Sequence, residues 1–276
     1  MIQERCSPTG YAILKELHVQ RQFKPVVAAV SVLFIMMLAS PALPQQGAAD
    51  GQWHSYSADL GSTKYSPLDQ IDADNVAALE IAWTRHAVDQ SILDQAPGLS
   101  YDDNFRVTPL MVDGILYSPN AVGLVEAFDA GTGETIWVQE PLGDKPLAYR
   151  GTSTRGVAFW TDGVDQRIFV TRGQYLTALN AKTGTLYTDF GDGGHVNLTQ
   201  SLGPRVRYQW SGAPTVVRDV VVLGQTMTDR FVTKEGPRGD VRAFDVRTGK
   251  MRWQFNTIPR AGEFGTDTWE DGSWEY

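Results

Sequence analysis

Cysteine is almost absent from this 276-residue chain, since Cys6 is the only one. A single cysteine cannot form an internal disulfide, and Cys6 lies in a segment that we expect to be removed, so thiol chemistry is excluded from the remainder. Histidine is also scarce. His54, His86 and His195 are scattered without the short spacings that are typical of a metal site.

Basic residues are in deficit. The chain has 24 Lys and Arg against 32 Asp and Glu, which gives a net charge of -8 at pH 7. Loss of residues 1–42 would remove four basic and two acidic residues and leave a charge of about −10. Such a surface repels phosphate backbones, and no basic run offsets it, so nucleic-acid binding is excluded from the functions considered.

Long hydrophobic runs are absent except for Val26–Ser40, which follows Arg21 and Lys24 and precedes small residues and prolines. This layout is typical of a secretory signal. The run has 15 residues, whereas a membrane-spanning helix needs about 20. We therefore predict that residues 1–44 are a signal peptide and leader, with cleavage near Ala42, rather than a permanent anchor. The predicted location is the periplasm, with membrane association left open.

Glycine and aromatic residues are abundant, with 27 Gly, 8 Trp, 10 Tyr and 11 Phe. Aromatic and β-branched side chains suit the pleated surface of a strand, and glycine suits tight turns. An all-β fold is therefore predicted for residues 45–276.

Three segments superpose without gaps: VEAFDAGTGETIW at 125–137, LTALNAKTGTLYT at 176–188 and VRAFDVRTGKMRW at 241–253. Each predicts a strand, a turn in which Asp or Asn caps backbone N–H groups and Gly adopts a positive φ, and a second strand. In the first and third repeats, Trp137 and Trp253 follow the Gly by four residues, and both are expected to be buried between neighbouring sheets. Thr188 takes this place in the second repeat, where the contact should be weaker or differently filled.

Another strand pair precedes each repeat, at 108–119, 155–171 and 213–224. Each unit thus offers about four strands, and the units begin about 50 to 65 residues apart, which favours radially arranged sheets over a solenoid. The predicted fold is a β-propeller of four-stranded antiparallel blades.

The chain resembles the pyrroloquinoline quinone (PQQ)-dependent dehydrogenases from about Gly51 to Tyr276. The resemblance rests on YSPLDQIDADNV at 65–76, FRVTPLMVDG at 105–114, RGVAFW at 155–160, the three repeats and IPRAGEFGTDTWEDGSWEY at 258–276. It implies about half of an eight-bladed propeller, with PQQ and Ca²⁺ near the axis. The substrate would be a sugar or an alcohol, and the electron acceptor ubiquinone or a cytochrome.

Four residues match the family's cofactor pocket, and the resemblance implies their roles. Arg155 corresponds to an arginine that pairs with a PQQ carboxylate, Ser211 and Thr226 to hydroxyl residues that hydrogen-bond the quinone, and Asp229 to a Ca²⁺ ligand. In the simpler alternative, Arg155 is a surface arginine, Ser211 and Thr226 are ordinary residues at strand ends, and Asp229 is a turn aspartate. We predict that the four side chains converge on the axis-facing side.

Three positions depart from the family pattern. Arg106 stands where relatives commonly carry Glu or Gln, and Tyr149 and Arg150 stand where the methanol and ethanol enzymes carry vicinal cysteines. The presence of Tyr149 and Arg150 in place of the vicinal cysteines favours the glucose-dehydrogenase-like branch.

The resemblance also places the family's catalytic aspartate and the tryptophan under the quinone beyond the counterpart of Tyr276. The chain alone is accordingly expected to be inactive, with no catalytic residue of its own. A non-catalytic propeller scaffold of the outer-membrane assembly type is the alternative, and the four pocket residues argue against it.

Overall fold

The structure is a computed structural model that describes residues 47–88, 90–95, 101, 106–141, 155–200, 202, 208, 210–227 and 237–275. Its strands are β1 Leu110–Val112, β2 Ile115–Pro119, β3 Val125–Asp129, β4 Thr135–Val138, β5 Ala158–Thr161, β6 Gln166–Arg172, β7 Tyr175–Asn180, β8 His195–Asn197, β9 Thr215–Val217, β10 Val220–Leu223, β11 Val241–Asp245 and β12 Met251–Phe255. A short helix, α1, covers Gln90–Gln95, and 3₁₀ turns cover Val76–Ala78, Thr266–Thr268 and Glu270–Glu275. None of the helices in these ranges is long and apolar enough to cross a membrane.

The strands form three four-stranded antiparallel sheets in chain order: sheet 1 (β1–β4), sheet 2 (β5–β8) and sheet 3 (β9–β12). Consecutive strands pair because tight turns join them, and each sheet is therefore built from one continuous stretch of chain. This arrangement confirms the all-β prediction and the four-stranded propeller blades.

The capped turns of the repeats are confirmed. Asp129 Oδ1 accepts hydrogen bonds from the N–H groups of Gly131 and Thr132 at 2.9 and 2.8 Å. Gly133 follows with a φ of 74°, which a residue with a side chain rarely adopts. Hydrogen bonds from the amide and the hydroxyl of Thr132 hold the pKa of the Asp129 carboxyl below its usual value. The aligned turns at 180–184 and 245–249 have the same cap and the same left-handed glycine.

Sheet 2 lies between the other two sheets and is apolar on both faces. Ile168 and Val170 of β6 join a core with sheet 1, whereas Phe169 between them joins a core with sheet 3. Successive side chains of a strand point to opposite faces, so one continuous apolar run in β6 serves both cores. The three sheets therefore stack face to face.

The stack of sheets has two ends, the turn rim and the entry rim. The turn rim carries the repeat turns at 129–134, 180–185 and 245–250 and the β9–β10 turn at 218–219. The entry rim is the opposite end, where β1, β5 and β9 begin. These three strands are the first of their sheets, and they approach one another: the Thr108 amide donates to the Arg155 carbonyl at 3.1 Å, and β5 contacts β9.

Trp137 docks sheet 1 onto sheet 2, as predicted. It is 8% exposed, and its indole Nε1 donates to the Ala181 carbonyl at 2.9 Å. A Cβ atom added to Gly184 would lie 2.5 Å from the Trp137 ring, so the glycine is needed for the ring to lie on the turn.

Trp83 makes the same contact one repeat earlier, before sheet 1. Its indole Nε1 donates to the Ala130 carbonyl at 3.0 Å, and a Cβ on Gly133 would lie 2.7 Å from the ring. Sequence reasoning missed this contact, although the spacing could have indicated it. Trp83 and the residue whose carbonyl it binds are 47 residues apart, and Trp137 and its carbonyl partner are 44 residues apart.

An arginine takes the place of the indole between sheets 2 and 3. The equivalent carbonyl, that of Val246, accepts a hydrogen bond from Arg167 Nη1 at 3.2 Å, and the Arg247 carbonyl accepts from the same nitrogen at 3.0 Å. The Arg167 guanidinium stacks 3.8 Å from the centre of the Tyr187 ring and pairs with Asp165 at 2.8 Å.

The glycine of the third turn also has different neighbours, as the threonine at position 188 predicted. A Cβ on Gly249 would lie 2.6 Å from Val196 Cγ2, and the Gly191 amide donates to the Thr248 carbonyl at 3.0 Å. The strand predicted after the turn of the second repeat, at 185–188, is wrong. Residues 185–188 contribute only an isolated bridge at Leu186, and the fourth strand of sheet 2 is β8.

The predicted burial of Trp253 is also wrong. Its side chain is 44% exposed, as are Met251 at 49% and Phe255 at 62% on the same strand, β12. Trp137 is buried because it lies against the turn at 180–184 of the next repeat. Within the described ranges, no such turn covers Trp253.

Candidate functional site

The predicted pocket residues that the structure describes all lie at the entry rim. Arg155 precedes β5, Ser211 precedes β9, and Thr226 follows β10, which runs antiparallel to β9 and ends beside its start. Antiparallel pairing brings these positions to one end, although Arg155 and Thr226 are far apart in the sequence.

Arg155 is exposed, and its backbone is fixed while its guanidinium is accessible. Arg155 Nη1 donates to the Tyr56 hydroxyl at 3.2 Å. The next residue, Gly156, has a φ of 141°, and a Cβ there would lie 2.9 Å from the Thr108 carbonyl oxygen. The close approach of β1 and β5 therefore sets the position of Arg155, and exposed Arg106 lies two residues before Thr108 on the same rim.

Trp210 organises the part of the rim that holds Ser211 and Thr226. Its ring lies between two glycines, because Cβ atoms on Gly212 and Gly224 would lie 2.6 and 2.7 Å from it. Ser211 is exposed, and Thr226, two residues after Gly224, is half-buried. The chain next to each hydroxyl residue therefore packs against one indole.

A contact between β5 and β9 connects the two parts of the rim. A Cβ on Gly156 would lie 3.9 Å from the Ala213 Cβ, so the chain next to Arg155 passes the chain next to Ser211. The structure thus brings Arg155, Ser211 and Thr226 to one edge; their contacts with a cofactor remain predictions.

The predicted metal ligand, Asp229, lies outside the described residues, as do Tyr149 and Arg150. Within the described ranges, no group of three or more His, Cys, Asp or Glu side chains could hold a metal ion. The Ca²⁺ prediction therefore rests on Asp229 and stays a prediction.

The chemistry of the rim fits PQQ, whose carboxylates need cations and hydroxyl donors. Two guanidiniums, those of Arg106 and Arg155, lie at the starts of neighbouring strands, and Ser211 and Thr226 supply hydroxyl groups. The roles of Arg155, Ser211 and Thr226 stay predictions. Sequence reasoning did not point to Tyr56, whose hydroxyl accepts a hydrogen bond from Arg155 and lies in the segment before sheet 1.

Comparison with known proteins gives a consistent result. The family described as "PQQ: Glucose/ethanol/alcohol dehydrogenase, beta-propeller domain" matches residues 53–276. The dehydrogenase subunit of the quinone-dependent alcohol dehydrogenase of Gluconobacter oxydans is 34% identical over 241 residues, covering 84% of this chain and 28% of the relative. Quinoprotein glucose dehydrogenase A of Acinetobacter calcoaceticus is 30% identical over 236 residues, covering 76% of this chain and 28% of the relative.

Solved structures agree with the sequence relatives. The crystal structure of quinohemoprotein alcohol dehydrogenase from Comamonas testosteroni superposes with a TM-score of 0.58 at 28% identity, over 79% of this chain and 29% of that one. Alcohol dehydrogenase ADHIIG from Pseudomonas putida superposes with a TM-score of 0.56 at 32% identity, over 76% and 27%. The chain spans less than a third of the length of these relatives.

The family match covers most of the chain, and the three four-stranded sheets agree with it. The chain therefore belongs to the β-propeller family of PQQ-dependent glucose, ethanol and alcohol dehydrogenases.

Proposed function

We propose that this chain forms part of a PQQ-dependent dehydrogenase that oxidises an alcohol or a sugar. The observation that carries the proposal is the entry rim, where Arg155, Ser211 and Thr226 lie together on a scaffold of the PQQ family. The proposed location is the periplasm, reached through the leader at 1–44, and the proposed acceptor of electrons is ubiquinone or a cytochrome.

The rim residues would bind and orient the cofactor. Arg155 would hold a carboxylate of PQQ through charge-assisted hydrogen bonds, and the Tyr56 hydroxyl would limit the rotamers of its guanidinium. Ser211 and Thr226 would donate hydrogen bonds to oxygen atoms of the quinone, and Asp229 would supply an oxygen ligand to Ca²⁺. PQQ, when bound, supplies the carbonyl chemistry that accepts the two electrons of the substrate.

The substrate class rests on two observations that point in different directions. Tyr149 and Arg150, in place of vicinal cysteines, favour the glucose-dehydrogenase-like branch. Several relatives at 34% identity are described as alcohol dehydrogenases, against 30% for the glucose dehydrogenase. Parallel dye-linked assays with ethanol, glycerol and glucose, on the full product of the gene, would decide between the branches.

Cofactor binding gives the more direct test. We expect Arg155→Gln to raise the dissociation constant for PQQ by about 10- to 100-fold, because a hydrogen bond to a charged group is lost. Arg218→Gln is the matched control, since Arg218 is an exposed arginine in the β9–β10 turn at the turn rim. PQQ binding would be measured by fluorescence titration with Ca²⁺ present. Equal dissociation constants for Arg155→Gln and the unaltered protein would show that Arg155 does not bind PQQ.

A further inference from the structure

A cavity of about 700 Å³ lies between sheets 2 and 3. Tyr175, Asp192 and His195 line it from sheet 2, and Arg242, Phe244 and Lys250 line it from sheet 3. It is separate from the predicted PQQ pocket, since none of Arg155, Ser211 and Thr226 lines it.

The turn of the third repeat forms part of the cavity wall. The cavity reaches Thr248 and Gly249. Val196 lies against Gly249, whereas Trp137 lies against the equivalent Gly184 in the preceding contact. Because valine is much smaller than tryptophan, this contact fills less of the space between sheets 2 and 3.

Arg242 is the unusual residue in this cavity. It is 2% exposed, and its guanidinium lies 5.1 Å from the centre of the Tyr208 ring and 5.8 Å from that of Phe244. Nη2 of Arg242 has no hydrogen-bond partner, and no ion pair joins this guanidinium to a carboxylate of the described residues. A buried guanidinium is ordinarily paired with a carboxylate or fully hydrogen-bonded.

Asp240 lies just before β11, two residues before Arg242. Its Oδ2 accepts from Arg260 Nη2 at 2.5 Å and from Gln254 Nε2 at 3.2 Å, and its Oδ1 is buried without a hydrogen-bond partner. Asp240 offsets part of the Arg242 charge through space, but among the described residues no hydrogen bond or ion pair joins the two side chains. Nη2 of Arg242 therefore still lacks an acceptor, which an anion in the cavity would supply.

The opposite wall has hydrogen-bond acceptors. Asp189 and Asp192 are exposed and line the cavity, and an ionised carboxylate can only accept hydrogen bonds. A simple anion such as sulfate would be repelled by these two residues. A ligand with a carboxylate at one end and donors at the other would satisfy both walls, and Lys250 adds a second cation at the opening.

We propose that this cavity between sheets 2 and 3 binds a small carboxylate that also carries hydroxyl or ammonium donors, with the carboxylate on Arg242 and the donors towards Asp189 and Asp192. The site goes beyond the proposed function, because it lies outside the predicted PQQ pocket and does not depend on that cofactor.

Isothermal titration calorimetry on the full product of the gene tests the proposal. The probes are glycerate, which has hydroxyl donors, and serine, which has an ammonium group; glyceramide, in which an amide replaces the carboxylate of glycerate, is the neutral counterpart. We expect at least one of the two carboxylates to bind at millimolar concentration or below, and glyceramide not to bind. Binding by glyceramide equal to that of the carboxylates, or no binding by any probe, would overturn the proposal.

Three variants locate the site. Arg242→Met should weaken binding about tenfold or more, because the charged hydrogen bonds are lost. Gln200→Trp, at an exposed position that lines the cavity, should weaken binding by occupying part of the space. It leaves every lining charge in place, so it tests the site even if Arg242→Met fails to fold. Lys250→Gln should weaken binding, whereas the matched control Lys182→Gln, at an exposed lysine outside the cavity, should not. Unchanged affinity in both Gln200→Trp and Lys250→Gln would place the ligand elsewhere and overturn the proposal.

Discussion

The two contacts between the sheets solve the same packing problem with different chemistry. Between sheets 1 and 2, Trp137 lies on the Gly184 turn and donates to the Ala181 carbonyl. Between sheets 2 and 3, the equivalent carbonyl, that of Val246, accepts from Arg167. The position of the acceptor is set by the backbone of the repeat, and the donor is exchangeable.

The exchange changes what stabilises each contact. An indole contributes apolar area, which is insensitive to salt and weakly sensitive to pH. The second contact is charged: beside Arg167, Arg247 pairs with Asp162 at 3.1 Å and Asp219 at 3.0 Å and stacks 4.5 Å from the centre of the Trp160 ring. The two contacts should therefore respond differently to mutation, salt and pH.

The largest effect is expected from Trp137→Ala. Loss of a buried tryptophan should lower the free energy of unfolding by about 3–5 kcal/mol, since it removes apolar burial and leaves a cavity. Chemical denaturation followed by circular dichroism measures it. Ile136→Ala, at the neighbouring exposed position, is the control and should change stability by about 0.5 kcal/mol or less. A loss below about 1 kcal/mol for Trp137→Ala would show that the indole is not the main docking group.

Arg167→Met should have the next largest effect, a loss of about 2–3 kcal/mol, because the hydrogen bonds from a buried charged group to two carbonyls disappear. The control is Arg252→Met. Arg252 pairs with Asp245 at 3.2 Å, but its side chain is 60% exposed, so about 0.5 kcal/mol is expected. Equal losses in the two variants would contradict the idea that Arg167 replaces the indole.

Arg247→Gln should destabilise the protein less than Arg167→Met, because the ion pairs of Arg247 are exposed to solvent. The difference between this variant and the unaltered protein should shrink as salt rises, since screening weakens exposed pairs. Denaturation curves at low and high sodium chloride measure this. For Trp137→Ala the corresponding difference should not shrink with salt, which separates the two kinds of contact.

The smallest effect is a pH dependence that arises from Asp162. Hydrogen bonds from the Asp165 and Val164 amides, and then from Arg247, lower the pKa of Asp162 from 3.8 to about 2. A carboxyl whose folded pKa is depressed contributes stability above its unfolded pKa, and this contribution is lost as the pH falls through the folded value. Asp162→Asn should therefore be less stable than the unaltered protein at pH 6, and the gap should close between about pH 4 and pH 2. A gap that stays constant over this window would assign the effect to something other than ionisation.

Local features were the ones that the sequence predicted well. The Asp caps and left-handed glycines of the repeat turns follow from interactions within five residues, and the strand pairs follow from alternation around short turns. Placement of Arg155, Ser211 and Thr226 on one rim also follows, because antiparallel order fixes which strand ends meet.

Contacts between sheets were harder to predict. Trp83 was missed because its partner turn lies in the next unit, and Arg167 was missed because nothing local distinguishes it from a surface arginine. Trp253 has the sequence environment of Trp137 but is 44% exposed, since burial depends on what packs against a strand and not on the strand itself. Asp229 lies outside the described residues, and its role as a metal ligand stays a prediction.

The distance between the two rims has a consequence for how this architecture can diversify. The repeat turns and the Trp137 and Arg167 docks lie at the turn rim, while Arg155, Ser211 and Thr226 lie at the entry rim. Substitutions of the residues at the entry rim therefore leave the Trp137 and Arg167 docks untouched. Side chains at the entry rim can change without the contacts between the sheets having to be rebuilt each time.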